Sequence, residues 1–386
     1  MVKQVLVAPD KFKGSLTAAE VAARVAAGLG VPAVELPVAD GGDGTVDAAV
    51  ASGFDRITVE VTGPTGGRVP ASYAWKAAGG VPTAVVELAE ASGLRRLPGG
   101  LEPLTATSYG TGELVADAVR RGAGRVVLGL GGSACTDGGA GMVQALGARL
   151  LDAEGGELPY GGAALRGLDR IDLSGFTDVS GVEFVVASDV DNPLLGPHGA
   201  AAVYGPQKGA TPEDVRTLEA ALSRLAAVAT QTHGLAGAVE HDSAPRAMGV
   251  AGAPGAGAAG GVGFAALAFL HAALRPGIDY LLGLLGFGAL LEDARLVITG
   301  EGSLDEQSLR GKAPIGVAQA AARAGVPVVA VCGRRTLTDA ELKDAGIEAA
   351  YALTDLEPDP ARCMAEAGPL LERLAARVAA VHLEGR

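Results

Sequence analysis

The sequence predicts an α/β protein in which a doubly wound parallel sheet is interrupted by a large inserted domain of mixed α/β structure. At both ends of the chain, short apolar segments of strand length alternate with segments of helical periodicity. The middle of the chain instead alternates apolar and polar residues around a Gly-Pro turn. The length of 386 residues is enough for two domains. We therefore expect residues 1–55 and 293–386 to form one discontinuous domain and residues 56–292 to form the insert.

Local signals define the first elements of the chain. Residues 4–8 form an apolar strand, and the helix over residues 18–29 begins at a capping box, because Thr17 is followed three residues later by Glu20. A second strand over residues 34–38 leads into the turn "ADGGDGT" and a further helix. This is the strand–turn–helix pattern of a parallel sheet.

The same pattern returns near the C-terminus. Strands are predicted over residues 296–299, 328–331 and 349–353, and helices over residues 314–324 and 338–345, with a long helix after residue 359. Together with the two N-terminal strands, these segments predict a sheet of five parallel strands.

The segment between the two ends has the pattern of a mixed sheet with helices. The stretch "DRITVEVTGPTGGRVPASYAW" predicts an antiparallel hairpin. Further strands are predicted over residues 84–88, 125–130 and 184–188, and helices over residues 112–122, 139–147 and 212–232. The run from residue 262 to residue 291 is apolar but is interrupted by charged residues and a proline, which predicts a buried helix pair and not a membrane span.

Composition limits the partners and the compartment. The net charge of −13 argues against nucleic acid or an anionic membrane surface as the main partner, although a locally basic site can still hold a small anion. Cys135, Cys332 and Cys363 have no metal-binding spacing and predict reduced thiols in a cytoplasmic protein. The apolar part of the N-terminus is too short for a signal peptide. We expect small-molecule substrates, and the sequence leaves homo-oligomerisation open.

Three loops follow strands of the expected first domain, at residues 10–15, 40–45 and 300–312. Ligands of open parallel sheets bind beyond the carboxyl ends of the strands. The chain has 7 lysines, and four of them lie in glycine-bearing loops, namely Lys11, Lys13, Lys208 and Lys312. A lysine ammonium is a compact charge suited to phosphate or carboxylate. Lysines also favour exposed loops for no functional reason, but an acidic chain offers few other cations to hold an anion.

The stretch "GLGGSACTDGGAGM" over residues 129–142 follows a strand, opens a helix and holds six glycines. Glycines let backbone N–H groups approach an anion, and a helix N-terminus adds partial positive charge. A tight turn alone would need only one or two of these glycines. The candidate nucleotide-binding residues are Gly131, Gly132, Ser133, Thr136, Asp137, Gly138, Gly139 and Lys208.

The same stretch also matches a dinucleotide-binding fingerprint, with Gly129, Gly131 and Ala134 in the spacing G-x-G-x-x-A. The acidic residue expected after the next strand is missing, since Asp152 follows a helix. This match leaves a nicotinamide-dependent hydroxy-acid oxidoreductase as an alternative. A non-catalytic sugar-acid-binding protein with two lobes is the alternative from another class.

Two carboxylates follow the strand predicted over residues 184–188. Asp189 and Asp191 suit Mg²⁺, which takes one or two carboxylates and leaves its other positions to water and phosphate oxygens. Asp189 also suits a general base, because it lies nearest the strand end. An Asx-turn at Asp191 or Asn192 would explain the same residues structurally.

Several motifs, taken together and in order across nearly the whole chain, resemble the bacterial glycerate kinase type 1 family. They are "PDKFKGSLTA", "ADGGDGT", "GLGGSACTDGGAG", "DVDNPLLGPHGAAAVYGPQKGA", "GAGAAGGVGF" and "GEGSLDEQSLRGKAP". The resemblance implies ATP-dependent phosphorylation of D-glycerate with Mg²⁺, in carbohydrate acid metabolism. It implies 2-phosphoglycerate rather than 3-phosphoglycerate as the product. It also implies a flavodoxin-like domain interrupted by a second α/β domain.

The resulting hypothesis is direct in-line phosphoryl transfer in a cleft between the two domains. The residues assigned to catalysis are Asp189, Lys11 and Lys312. Those assigned to the acceptor substrate are Asp10, Lys13, Ser15, Asp43 and Arg310. The residues assigned to Mg²⁺ are Asp189 and Asp191, and the nucleotide is assigned to the glycine-rich stretch with Lys208.

Overall fold

The computed structural model describes residues 4–233 and 249–383. The strands are β1 (Gln4–Pro9), β2 (Ala33–Glu35), β3 (Asp55–Thr62), β4 (Arg68–Lys76), β5 (Thr83–Glu87), β6 (Arg125–Gly129), β7 (Arg149–Leu151), β8 (Arg170–Asp172), β9 (Glu183–Ala187), β10 (Ala273–Arg275), β11 (Ala294–Leu304), β12 (Val328–Arg335) and β13 (Ala349–Ala352). The α-helices are α1 (Ala18–Leu29), α2 (Thr45–Ala51), α3 (Leu88–Ser92), α4 (Tyr109–Arg120), α5 (Ala140–Ala145), α6 (Ala200–Tyr204), α7 (Pro212–His233), α8 (Ala258–Phe269), α9 (Gly277–Leu284), α10 (Phe287–Glu292), α11 (Ala313–Arg323), α12 (Asp339–Asp344), α13 (Pro360–Ala365) and α14 (Ala367–His382).

These elements form two compact units. The first unit comprises the described parts of residues 4–40, 47–54 and 276–383, and the second comprises residues 41–46, 55–233 and 249–275. The units divide the chain before residue 276, whereas the sequence led us to expect a boundary at 292/293. The packing of α9 accounts for this difference, because a Cβ added to Gly316 of α11 would collide with the side chain of Ile278 in α9.

The sheet of the first unit has the strand order β13-β12-β11-β1-β2, and all of its neighbouring strands are parallel. In sequence order within this unit, that arrangement is 2-1-3-4-5, the order of flavodoxin-like sheets. It confirms the predicted fold class. β1 is buried from residue 5 to residue 9, as expected of a parallel strand with both faces covered. The strand order reverses between β1 and β11, and this switch point is where such sheets bind ligands.

Helix α1 begins where the sequence predicts. The Thr17 hydroxyl accepts the backbone N–H of Glu20, and the Glu20 carboxylate accepts the backbone N–H of Thr17. The helix packs closely on α14, because Gly28 leaves room for the backbone of Glu372. These contacts fix the position of α1 and thereby the end of the loop that joins β1 to it.

The second unit contains a six-stranded sheet of order β10-β9-β6-β5-β4-β3. β3, β4 and β5 are antiparallel neighbours, which confirms the predicted hairpin, while β5, β6, β9 and β10 are parallel. β7 and β8 form a separate two-stranded sheet that the sequence pattern did not predict. The core is built mainly from Ala, Val and Leu, as the low aromatic content requires. The carboxyl ends of β5, β6 and β9 meet at one edge of this sheet.

The apolar run from residue 262 to residue 291 differs from the expected helix pair. It contains the rest of α8, the short strand β10, and the helices α9 and α10. Within α8, three successive residues, Ala259 to Gly261, have positive φ angles, so the regular helix starts only after them. In the described residues, no helix combines the length and apolar character needed to cross a membrane.

Candidate active site

Asp10 occupies the first residue position after β1, at the switch point of the first unit's sheet. Its backbone N–H donates to Gly300 O in β11 at 2.8 Å, which ties the loop to the neighbouring strand. Its Oδ1 accepts the backbone N–H of Lys11 at 2.7 Å and lies 3.6 Å from Lys11 Nζ. The Asp10 side chain is only 12% exposed. One oxygen of a buried carboxyl is therefore held in place beside an ammonium group.

Glu301 lies on the other side of the switch point, in β11, and is also buried. Its Oε2 is 3.7 Å from Nζ of Lys312, the residue that precedes α11. Burial raises the pKa of Glu301, while Ser308 and Lys312 oppose that rise. The switch point thus carries two carboxylate–ammonium pairs, one from each of its neighbouring strands.

The electrostatic environment of Asp10 is unusual for an aspartate. Burial raises its pKa to about 7, and the nearby Asp40 and Glu301 carboxylates add to the rise, while Lys11 opposes it. A pKa in this range brings the change between the acid and the carboxylate form close to neutral pH. A group with this property can accept or donate a proton under physiological conditions.

The other residues assigned to the acceptor substrate have different environments. Phe12 and Leu16 form a β-bridge that closes the loop after β1, and the Ser15 hydroxyl donates to Phe12 O at 3.1 Å. Lys13 is exposed in this loop, and a Cβ at Gly302 would lie only 3.2 Å from Lys13 N. The loop therefore crosses β11 closely. The side chain of Arg310 lies outside the described residues.

In the second unit, the glycines at the end of β6 are explained by a close backbone approach. Cβ atoms at Gly129 and Gly131 would meet the backbone of Gly41 and Gly42, and Gly131 N donates to Gly41 O at 3.1 Å. The loop 41–46 thus crosses the end of β6. The close approach of the neighbouring loop requires glycine at these positions. A dinucleotide-binding fingerprint is therefore not needed to explain them.

Lys208 lies against the same glycine-rich loop. It is almost completely buried, and its Nζ donates to Ser133 Oγ at 2.8 Å and to Cys135 O at 2.5 Å. Both acceptors are uncharged. Among the described residues Lys208 forms no ion pair with a carboxylate, and burial lowers its pKa. The nearby Asp137 carboxylate opposes this lowering of the pKa. Both hydrogen bonds of the ammonium go to neutral acceptors, which leaves charge that an incoming anion can offset.

The second half of the loop is occupied by structural contacts. The buried Asp137 carboxylate accepts from Ser108 N and Oγ at 2.8 and 2.9 Å and from the backbone N–H of Gly139 at 3.1 Å. Gly138 N donates to Gly260 O, and Thr136 is fully buried. Asp137, Gly138 and Gly139, three of the positions assigned to the nucleotide from sequence, therefore make contacts within the fold, whereas the buried Thr136 Oγ1 has no hydrogen-bond partner among the described residues. The accessible part is Gly131 and Gly132, of which Gly132 is exposed, while Ser133 is buried beside them.

Glu87, at the end of β5, was missed by the sequence argument. Its Oε2 accepts the backbone N–H groups of Gly44 and Val46 at 3.0 and 3.2 Å, and its Oε1 lies 3.1 Å from Arg95 Nη2. Arg95 also approaches Asp43 Oδ1 at 3.9 Å. Burial raises the pKa of Glu87 to about 7. The strand-end rule that selected Asp10 would have found Glu87 if it had been applied to the strand at residues 84–88.

Asp43 lies with the nucleotide candidates rather than with the other residues assigned to the acceptor. A Cβ at Gly132 would be 2.8 Å from Asp43 Oδ1, so the two loops touch. Asp189 and Asp191 follow β9, and both are exposed. Within residues 4–233 and 249–383, no group of three or more His, Cys, Asp or Glu side chains could hold a metal ion alone. One or two carboxylates with phosphate oxygens and water is the ligand set that Mg²⁺ prefers, and Asp189 and Asp191 fit it.

A comparison with protein-family models decides what kind of protein carries this site. The model described as "Glycerate kinase family" matches residues 5–383. The chain belongs to the glycerate kinase family. It is an enzyme of that class, a phosphotransferase with an alcohol group as acceptor. The oxidoreductase and the non-catalytic binding protein are thereby disfavoured.

Individual relatives agree with the family assignment over nearly the whole chain. A glycerate kinase from Halalkalibacterium halodurans is 42% identical over 385 residues, covering 98% of this chain and 97% of the relative. A glycerate 2-kinase from Escherichia coli K12 is 43% identical over 359 residues, covering 91% and 90%. A crystal structure from Salmonella typhimurium LT2, assigned to glycerate kinase 2, matches with a TM-score of 0.81 and 40% identity, covering 99% of this chain and 98% of that one.

The structure groups the candidate residues of this glycerate kinase family member into two sets. In the first unit, Asp10 and Lys11 pair at the end of β1, and Lys312 pairs with Glu301 of the adjacent strand. In the second unit, Ser133 and Lys208 are in direct contact. Further second-unit members are Gly131, Gly132 and Asp43, while Asp189 and Asp191 follow β9.

Proposed function

We propose that this chain transfers the γ-phosphoryl group of ATP directly to D-glycerate and produces 2-phosphoglycerate. Phosphoryl transfer needs little covalent chemistry from a protein, because positioning and charge stabilisation supply most of the catalysis. Both units contribute residues to one reaction in this proposal, the second holding the phosphates and the first holding the acid. Each unit has cations near its strand ends, namely Lys11 and Lys312 in the first unit and Lys208 against the loop after β6 in the second. Separate binding of the acid and of the phosphates requires such cations in both units.

The observation that carries the proposal is the contact of buried Lys208 with the glycine-rich loop. The ammonium lies on Ser133 Oγ and Cys135 O and forms no ion pair with a carboxylate of the described residues. The exposed backbone of Gly132 lies next to Ser133, where a phosphate could accept N–H groups. We propose that residues 131–133 contact the phosphates directly. Asp137, Gly138 and Gly139 maintain the conformation of the loop.

The acceptor is proposed to bind at the switch point of the first unit. Lys11 and Lys312 are both partly exposed there, with side-chain exposures of 26% and 36%, and each faces a buried carboxylate. An incoming glycerate carboxylate would compete for one of these ammonium groups, and the other would offset charge on the transferred phosphoryl group. Lys13, Ser15 and Arg310 remain further candidates for the acceptor.

Asp189 and Asp191 are proposed to hold Mg²⁺, which would bridge phosphate oxygens of the nucleotide and offset their charge. Both carboxylates are exposed and follow the same strand, which suits an ion that keeps several water ligands. Asp189→Ala is expected to raise the Mg²⁺ concentration needed for half-maximal activity. An unchanged Mg²⁺ dependence would remove Asp189 from this role.

The regiochemistry of the proposal rests on the relative from Escherichia coli that is described as a glycerate 2-kinase. Proton-coupled ³¹P NMR of the product would distinguish the alternatives. A phosphate on C2 has one proton three bonds away and gives a doublet, whereas a phosphate on C3 has two and gives a triplet.

The test of the whole proposal is ADP release, followed with a coupled assay, from ATP and D-glycerate. Turnover that depends on both substrates is the expected result, and a ³¹P doublet would establish the 2-phosphate product. Absence of turnover with D-glycerate, together with turnover of another hydroxy acid, would overturn the substrate assignment. ATP binding without release of ADP to any hydroxy acid would overturn the transfer reaction.

A further inference from the structure

We propose that Asp10 is the catalytic base, accepting the hydroxyl proton of the acceptor when that hydroxyl attacks the phosphoryl group. The sequence had assigned this task to Asp189 and had given Asp10 to substrate binding. The inference rests on the proposed phosphoryl transfer to glycerate. It follows from the place of Asp10 in the sheet, the hydrogen bonds of its carboxyl group and the charges around it.

The place of Asp10 is the one where a flavodoxin-like sheet binds its ligand. β1 and β11 are adjacent parallel strands at which the strand order reverses, and Asp10 is the first residue after β1. Its N–H bond to Gly300 O fixes the backbone at 2.8 Å. A side chain held on the end of a strand is more precisely positioned than one on a free loop. Asp189, in contrast, is exposed two residues beyond β9.

The two oxygens of the Asp10 carboxyl are not equivalent. Oδ1 accepts the backbone N–H of Lys11 at 2.7 Å and lies 3.6 Å from Lys11 Nζ. Oδ2 accepts no hydrogen bond from the residues described by the structure, and the side chain keeps 12% of its surface exposed. One oxygen is therefore anchored and the other is available to a hydroxyl group. Orientation by one hydrogen bond with a second lone pair open is what a general base requires.

The charged groups around Asp10 adjust its basicity to neutral pH. Lys11 comes from its own loop, Asp40 from the loop that follows β2, and Glu301 from β11. Burial raises the pKa of Asp10 to about 7, Asp40 and Glu301 raise it further, and Lys11 opposes the rise. Catalytic bases are most effective when their pKa lies near the operating pH, so this environment fits the role.

The Asp10 carboxylate takes the proton from the glycerate hydroxyl as the hydroxyl oxygen forms its bond to the γ-phosphorus of ATP. The bond from that phosphorus to the β–γ bridging oxygen breaks, and ADP leaves with the electron pair. The products are phosphoglycerate, ADP and the neutral Asp10 acid, which then loses its proton to water.

Asp10→Asn tests the inference, because the amide preserves shape but cannot accept the proton. The expected result is a fall in kcat of roughly 10²–10⁴-fold, with a much smaller change in the KM for glycerate. Asp10→Glu retains a carboxylate and should recover part of kcat, which also covers the case in which the asparagine variant does not fold. Asp344→Asn, an exposed aspartate of α12, serves as the control that leaves activity unchanged.

The pH dependence of kcat separates a base from a structural residue. The wild-type enzyme should lose activity as the pH falls through about 7, and Asp40→Asn should move that loss to lower pH, because one carboxylate near Asp10 is neutralised. If Asp10→Asn raised the KM for glycerate and left kcat and its pH profile intact, Asp10 would be a binding residue and the inference would be overturned. If the wild-type enzyme released no ADP with glycerate, the proposed function would fail instead.

Discussion

The two units build their strand-end sites from different materials. In the first unit the switch point is lined by charged side chains, with Asp10 and Glu301 each paired to a lysine. In the second unit the corresponding edge is made of glycine backbone crossed by a second loop, with a buried Lys208 behind it. Backbone N–H groups suit a phosphate chain of any nucleotide, whereas side-chain charges suit proton transfer and a small acid. The contrast supports assigning the donor to one unit and the acceptor to the other.

Each unit also buries one carboxyl group whose pKa is raised to about 7, but the hydrogen bonds of the two groups differ. Both oxygens of Glu87 are engaged, since Gly44 and Val46 donate to Oε2 and Arg95 donates to Oε1. Asp10 keeps one oxygen open. The same rise in pKa therefore accompanies a structural support in one unit and, in our proposal, the catalytic base in the other. Hydrogen-bond saturation, and not the pKa, tells them apart.

The largest effect is expected from removing the cation of the second unit. Lys208→Met keeps the volume of the side chain but leaves Ser133 Oγ and Cys135 O without their donor. We expect kcat/KM for ATP to fall by about 10²–10³-fold, because a preorganised donor next to the phosphates is lost. Steady-state kinetics with ATP varied at saturating glycerate would measure this.

Thermal unfolding serves as the control for Lys208→Met. Burying a cation without a carboxylate partner is costly, so the apolar replacement should leave the melting temperature within a few degrees. A variant with normal ATP kinetics and lowered stability would show that Lys208 is a structural residue. The second unit would then have no assigned cation for the phosphates.

A smaller effect is expected from filling the space between the two backbone segments. Gly131→Ala places a Cβ against Gly42 Cα, which cannot move aside like a side chain. We expect a loss of about 1–3 kcal/mol in the free energy of unfolding and an increased KM for ATP. Gly99→Ala is the matched control, because nothing lies within 4 Å of an added Cβ there. Equal effects of the two substitutions in urea unfolding would contradict the close approach.

Much of the fold was predictable because its signals are local. The capping box at Thr17 and Glu20 gave the start of α1, and the alternating pattern around Gly63 and Pro64 gave the hairpin β3–β4. The short strands β7, β8 and β10 were missed, because three residues carry too little periodicity to stand out. β2 is equally short, but the sequence predicted a longer strand over residues 34–38 there. The positive φ angles inside α8 depend on contacts with a distant loop, which no local pattern reveals.

The candidate site was predictable in its loops but not in its contacts. Strand-end reasoning selected the loops of Asp10 and Gly131 from sequence. It could not show that Lys208 is buried on Ser133, since the two residues are 75 positions apart. It also could not show that Asp137 is filled by donors, because that depends on Ser108 and its neighbours from another element. Tertiary contacts of this kind decide whether a polar residue is free to meet a ligand.

Glu87→Gln should change how stability depends on pH. The pKa of Glu87 rises from an ordinary 4.5 to about 7 on folding, so the folded state holds a proton that the unfolded chain has already lost. This contribution is fully present below pH 4.5 and is lost as the pH rises through about 7. The variant should therefore lose less stability over that range, by up to about 1.4 kcal/mol per pH unit. Urea unfolding between pH 4.5 and 8 would measure the slope.

Activity measured in the same Glu87→Gln protein distinguishes the role of Glu87 from that of Asp10. A saturated carboxylate supports the loop 41–46 and takes no proton from substrate, so the pH at which kcat falls should stay as in the wild type. If the acidic limb of kcat disappeared in Glu87→Gln instead, the base would belong to the second unit and the division of roles would be reversed.

The smallest effect is expected at Lys13, the exposed lysine of the first unit's loop. It lies two residues from Lys11 but has far more solvent around it, so salt and water screen its charge. Lys13→Ala should raise the KM for glycerate only a few-fold, and the increase should shrink at high ionic strength. Lys11→Ala, measured beside it, should raise that KM much more and retain its effect in salt, because Lys11 lies against the buried Asp10 carboxylate. If Lys13→Ala and Lys11→Ala raised the KM by the same factor and with the same salt sensitivity, burial would not determine how strongly each lysine binds the acceptor. The acceptor would then be held by the whole loop and not by Lys11 in particular.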